Sequence, residues 1–158
     1  MARLTFDVND TLQLLRTYAE FTSSRPSGSD GVSAYLFMSK HANQVIVCDV
    51  APCDGADATA NLEALRELIS PFVSLGAAVS LESMTLPALN SMSDIGNAAG
   101  RMYAWSRSTF VPQLTHEVVE ALSQARSSLP VASATVEVMH LGGAIAMKSS
   151  LDSAFFHR

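Results

Sequence analysis

Two apolar segments decide the fold: Val32-Ser-Ala-Tyr-Leu-Phe-Met38 and Gln44-Val-Ile-Val-Cys-Asp-Val50. Both are rich in β-branched and aromatic residues, which favour strands over helices. The polar run Ser39-Lys-His-Ala-Asn43 between them has the length and composition of a hairpin turn. The sequence therefore predicts an antiparallel pair of strands here.

Strand and helix patterns continue on both sides of this pair. Upstream, residues 4–8 alternate apolar and polar side chains like a half-buried strand. Asn9 or Asp10 then caps an amphipathic helix, whose apolar stripe consists of Leu12, Leu15, Tyr18 and Phe21. Downstream, the predicted elements are a helix with Leu62, Leu65, Leu68 and Ile69 that is ended by Pro71, a strand at 77–84, a helix capped by Thr85 that includes Met92 and Ile95, a strand at 101–110, a helix capped by Thr115, and a strand at 132–141.

This order mixes hairpin and crossover connections. It predicts the fold class α+β, with a mostly antiparallel β-sheet and helices packed on one face. We expect residues 1–158 to form a single domain, because 158 residues with 48% hydrophobic and 16% charged content suit one globular core.

The composition also limits the kinds of partner that we expect. The formal charge is −5, and the Lys and Arg residues are scattered singly, so we expect no nucleic-acid partner. The N-terminus reaches Asp7 without an apolar signal core, and no apolar run approaches the roughly 20 residues that cross a bilayer. We therefore expect no membrane partner and a cytoplasmic location. Cys48 and Cys53 suggest neither a disulfide framework nor a metal site, and we expect reduced thiols.

The sequence contains no zincin, P-loop, nucleophile-elbow or dinucleotide-binding motif. The candidate catalytic residues are therefore weak ones: His140, Glu137, Tyr103 and Arg107. In a strand, His140 shares a face with Val138 and Val136, whereas Glu137 lies on the opposite face. A hydrogen-bonded sheet histidine and a solvated carboxylate are the structural alternatives for these two residues.

A possible ligand site involves two segments. Tyr103, Trp105 and Arg107 would alternate onto one strand face and could line an aromatic pocket with a cationic rim, although core packing explains them equally well. The pair Gly142-Gly143 permits close approach of a ligand or a simple turn. The predicted substrate-binding residues are Tyr103, Trp105, Arg107, His140, Gly142 and Gly143.

The C-terminal run His140-Leu-Gly-Gly-Ala-Ile-Ala146, followed by Ser153-Ala-Phe-Phe-His-Arg158, resembles a known family pattern. Berberine-bridge-type FAD-linked oxidases read HLGGAxA there and AFPHR about ten residues later. The upstream order of elements is also similar to that family's substrate domain, so the resemblance covers nearly the whole chain. Phe156 departs from it, since the family usually has proline at that position.

The resemblance implies that residues 1–158 correspond to the substrate-binding domain of these oxidases, truncated at its C-terminal end. His157 and Arg158 would lie near the flavin side, while the chain alone would bind no cofactor and FAD would be carried by a partner chain. The implied function is the substrate-binding part of a split or truncated FAD-linked oxidoreductase that acts on a hydrophobic small molecule. Oxidation would require that partner, because no side chain accepts a hydride reversibly.

Two other functions remain open from the residues themselves. One is a flavin-independent enzyme of the cyclase or isomerase type, or a binding protein, that kept the fold. The other is a structural or regulatory protein whose sheet edge is its interaction surface. A sheet that stops before its last strands would leave an unpaired edge, so we expect a homodimer, a higher homo-oligomer or a complex with a flavin-binding chain.

Overall fold

The computed structural model describes residues 1–7, 11–24, 31–49, 58–91, 107, 109 and 111–140. These residues form five strands and five helices. In chain order the elements are β1 (Ala2–Phe6), α1 (Thr11–Ser23), β2 (Val32–Met38), β3 (Asn43–Asp49), α2 (Ala58–Leu68), α3 (Ser70–Val73), β4 (Ala78–Leu81), α4 (Leu86–Asn90), α5 (His116–Ser127) and β5 (Val136–His140).

The strands form one sheet in the order β4-β1-β3-β2-β5, and every neighbouring pair is antiparallel. The first four strands, with α1 after β1 and α2 and α3 after β3, have the β-α-β-β-α-β connectivity of the ferredoxin-like arrangement. The fifth strand pairs with β2 at one edge. The α+β class and the antiparallel sheet predicted from the sequence are therefore confirmed.

The hydrophobic core lies on one face of this sheet. Alternate residues of β1, β2 and β3 are fully buried there, for example Leu4, Val45 and Leu36, which stand opposite one another across three strands. Such a row excludes water on one face while the intervening residues point to the other face.

The helices cover that same face. In α1, Leu15, Tyr18 and Phe21 are buried as predicted, and Leu12 packs at the margin of the core. In α3, Phe72 is completely buried, and its ring centroid lies 5.1 Å from that of Phe21. The predicted placement of helices on one face is confirmed.

The hydroxyl group of Tyr18 joins α1 to two strands. It donates a hydrogen bond of 2.8 Å to the carbonyl oxygen of Ala34 in β2 and lies 3.2 Å from that of Val138 in β5. The backbone N–H of His140 donates to the same hydroxyl. Burial raises the pKa of Tyr18 well above its usual range, so the group stays protonated and able to donate.

Several predicted boundaries differ from the structure. The first strand is Ala2–Phe6 rather than 4–8, and the strand predicted at 77–84 is only Ala78–Leu81. The last strand begins at Val136 rather than at 132, because a turn closed by the N–H of Ala134 and the carbonyl of Val131 precedes it. Alternation alone does not reveal such turns.

Helix ends were predicted more closely. The Thr85 hydroxyl accepts a hydrogen bond from the N–H of Ala88, so its role as a helix cap is confirmed. The helix predicted to end at Pro71 ends earlier, at Leu68, and Pro71 instead lies in the first turn of the next helix, α3, where its missing N–H costs nothing. No helix among the described residues is long and apolar enough to span a membrane.

Some predictions fall on other residues. Met92, Ile95 and the caps Asn9 and Asp10 lie outside the described ranges. The strand predicted at 101–110 also lies outside them, apart from Arg107 and Thr109, which belong to neither a helix nor a strand.

Candidate functional site

The face of the sheet opposite the core helices is the candidate site, and we call it the open face. The helices that bury residues in the core, α1, α2, α3 and α5, all do so on the other face. The main side chains of the open face are Arg3, Tyr35, Phe37, Ile46, Glu137 and Met139.

Strand register places most of these side chains in one row. Arg3 of β1 stands opposite Ile46 of β3, Ile46 opposite Tyr35 of β2, and Tyr35 opposite Met139 of β5. Side chains directly opposite each other in an antiparallel pair are in contact range. With strands about 4.8 Å apart, the row is about 14 Å long, which is the size of a two- or three-ring molecule.

The middle of this row is apolar. Tyr35, Ile46 and, in the adjacent row, Phe37 are half-buried, and Met139 is 51% exposed. Aromatic rings provide large contact areas at low conformational cost, and a contiguous apolar patch on a protein surface marks a ligand or partner site.

Arg3 supplies the cation at one end of the row. It stands between Ser80 of β4 and Ile46, and its Nε is buried without a hydrogen-bond partner. Glu82 follows β4 on the same face, where its carboxylate lies 3.5 Å from the Ser80 hydroxyl. Among the described residues Arg3 forms no ion pair. A buried donor without an acceptor costs free energy, so this atom requires an explanation.

Cys48 also faces this side but lacks the properties of a nucleophile. Its side chain is only 5% exposed and stands opposite Ser33, whose hydroxyl hydrogen-bonds its sulfur. Burial raises the pKa of the Cys48 thiol, which keeps it protonated at neutral pH. Cys48 is a free thiol, as predicted, and Cys53 lies outside the described residues.

The two predicted site residues of β5 lie on opposite faces of the sheet. His140 is half-buried on the helix side together with Val136 and Val138. Glu137 is exposed on the open face, and the Thr135 hydroxyl donates to it at 3.1 Å. The predicted facing of this strand is confirmed, and these two side chains do not converge on one substrate.

The other predicted site residues are not brought together by the described structure. Arg107 is described and exposed. The remaining ones, which lie outside the described residues, are Tyr103, Trp105, Gly142, Gly143, His157 and Arg158.

A second concavity lies on the helix side, at the β4 edge. It is a wide groove of about 640 Å³ lined mainly by apolar and hydroxyl side chains: Arg66, Ile69, Ser70, Val73, Ser74, Val79 and Leu81. Its one charged residue, Arg66, is already paired with Glu63. The remaining polar side chains of the groove are the hydroxyls of Ser70 and Ser74, and Ser74 already donates to the carbonyl oxygen of Ser70, so the groove offers few groups that would orient a small ligand.

Sequence analysis missed the open face. The first quoted strand gives only a weak signal, because Tyr35 and Phe37 make one of its faces nearly as apolar as the face with Ala34 and Leu36. Within the described residues, moreover, no three His, Cys, Asp or Glu side chains are close enough to hold a metal ion.

Comparison of the chain with known protein families, with curated proteins and with solved structures found no match. The resemblance to FAD-linked oxidases therefore stays a prediction. Since a fold alone does not fix function, function is inferred from the open face.

Proposed function

We propose that this chain is the substrate-binding part of a FAD-linked oxidoreductase, with a hydrophobic small molecule held on the open face and the flavin carried by a separate chain. The protein works in the cytoplasm, in keeping with a free buried thiol and an acidic surface that does not suit nucleic acid. The resemblance in residues 140–158 suggested the flavin chemistry, and the open face supports the binding role.

The observation that carries the proposal is the row of apolar side chains on a face where none of the described helices buries core residues. Tyr35, Ile46 and Met139 come from three different strands, so their relative positions are fixed by backbone hydrogen bonds. A rigid, flat platform of this kind suits a flat apolar molecule, because little conformational entropy is lost on binding.

The described residues do not suit the dinucleotide part of FAD. Such a site needs a glycine-rich turn and a helix N-terminus that receive the pyrophosphate. Gly31 and Gly76 are the only glycines in the described ranges, and they lie far apart in the chain. The proposal accordingly places FAD on a partner chain.

Two edges of the sheet offer places for that partner or for a second copy. Among the described strands, β4 and β5 each have only one neighbour, and no other described strand pairs with their outer backbone groups. Val79 in β4 is 40% exposed beside the apolar groove, which favours association there.

A flavin-independent binding protein is the second candidate. The observation that favours it over a cyclase or isomerase is the divergence of Glu137 and His140 to opposite sides of β5. Acid–base catalysis requires both groups within reach of one substrate. A binding protein requires only the open face.

The deciding experiment is purification of the tagged chain from its source, followed by native mass spectrometry and identification of every bound species. The proposal predicts a complex that contains a FAD-bearing chain and a small apolar molecule. In Tyr35→Ala/Phe37→Ala protein, the small molecule should be lost while the chain remains folded.

The matched control is Val131→Ala/Val111→Ala, which removes two exposed apolar side chains that belong to no strand of the sheet and do not line the groove. It should retain the small molecule. A flavin-free homo-oligomer that carries a ligand would instead establish the binding protein. Retention of the ligand in the open-face double variant would show that the site lies elsewhere.

A further inference from the structure

We infer that the ligand of the open face carries a single negative charge, best a carboxylate, which the guanidinium group of Arg3 binds. This inference rests on the proposed function, because it assigns a ligand class to the same face. It follows from the position of Arg3 at the end of the apolar row and from the unsatisfied state of its Nε.

The Nε of Arg3 lacks a hydrogen-bond acceptor among the described residues. Arg3 is flanked across the strands by a serine and an isoleucine, neither of which can neutralise it. Thr5, the next residue of β1 on this face, is also uncharged. An anion that accepts a hydrogen bond from the buried Nε would satisfy this donor and neutralise the charge of Arg3.

The shape of the guanidinium group favours a carboxylate. An arginine presents Nε and one terminal nitrogen as a planar fork, which matches the two oxygens of a carboxylate. A carboxylate on this fork would direct the rest of a flat ligand along the row toward Ile46 and Tyr35. The ligand class is therefore a planar apolar acid no longer than about 14 Å.

Glu82 places a negative charge on the open face, and this charge opposes the binding of an anion. Its carboxylate is on the same face but approaches Ser80 rather than Arg3. Removal of this negative charge should tighten binding of an anion, whereas it should leave a neutral ligand unaffected.

The test compares two probes of equal shape, 2-naphthoate and its uncharged amide, 2-naphthamide. Their binding to the full chain would be measured by titration followed with amide NMR shifts in β1, β2 and β3. We expect the acid to bind about tenfold more tightly than the amide, a difference of about 1.4 kcal/mol. The Arg3→Gln variant should bind the acid no better than the amide, and Glu82→Gln should bind the acid more tightly than the unsubstituted chain.

Arg16→Gln, an exposed change on α1, is the control and should behave like the unsubstituted chain. If Arg3→Gln does not fold, Arg3→Met keeps the aliphatic stem and removes the same charge. Equal binding of acid and amide at open-face residues would overturn the charge assignment and leave the proposed function standing. Folded protein in which neither probe shifts open-face amides would overturn both.

Discussion

The two faces of the sheet use the same strands for different purposes. On the helix face, Leu4, Val45 and Leu36 are completely buried. On the same strands, the neighbouring residues Arg3, Ile46 and Tyr35 are half-buried, and Arg3 forms no ion pair among the described residues. The comparison shows that the free energy of folding comes mainly from one face, so the other is free to carry residues that folding alone would disfavour.

The largest expected effect is on the free energy of unfolding. Truncation of a core side chain should lower it more than truncation of an open-face side chain on the neighbouring strand. Leu36→Ala removes a fully buried side chain and should lower the free energy of unfolding by about 3 kcal/mol. Ile46→Ala removes a half-buried side chain of similar size and should cost about 1 kcal/mol. Urea unfolding of both variants measures this difference, and equal losses would show that the open face is part of the core.

A smaller effect is expected from Tyr18→Phe, which removes one oxygen atom from the helix side. The carbonyl oxygen of Ala34 would lose its hydrogen bond from the hydroxyl, and the N–H of His140 would lose its acceptor. We expect a loss of about 1–2 kcal/mol in urea unfolding. A loss below 0.3 kcal/mol, roughly the error of such a difference, would mean that the hydroxyl does not join the two layers.

The smallest expected effect is a loss of stability at alkaline pH, which the Tyr18→Phe variant should lack. Because burial raises the pKa of Tyr18, the unfolded tyrosine ionises near its ordinary pKa of about 10 while the folded one stays protonated. This contribution to stability is complete below about pH 10 and is lost as the pH rises further. The stability of the unsubstituted chain should therefore fall more steeply above pH 10 than that of Tyr18→Phe, and parallel curves would contradict this origin.

The sequence was sufficient for the central hairpin. The strands predicted at 32–38 and 44–50 are found at Val32–Met38 and Asn43–Asp49, because a polar turn separates two segments with strong strand preference. In that turn, the Ser39 hydroxyl accepts hydrogen bonds from the N–H groups of His41 and Ala42. Local chemistry of this kind is visible in a sequence.

The site was less predictable, for a physical reason. Both faces of β2 carry apolar side chains, so the pattern does not reveal which face the helices will cover. Arg3 becomes an unpaired end of the row only through pairing with Ile46 and Ser80, which are 43 and 77 positions away (46 − 3 and 80 − 3). The family resemblance lies in residues 140–158, of which only His140 is described.

The tyrosine hydroxyl between α1 and the β2–β5 pair also affects how the domain opens. An edge strand ordinarily frays, yet β5 is held by a group from the core helix as well as by its ladder with β2. Separation of β5 therefore requires the Tyr18 hydroxyl to lose its hydrogen-bond partners in β5, which links this edge to α1. The opposite edge, β4, is short and largely exposed, so we expect local opening and amide exchange to begin there.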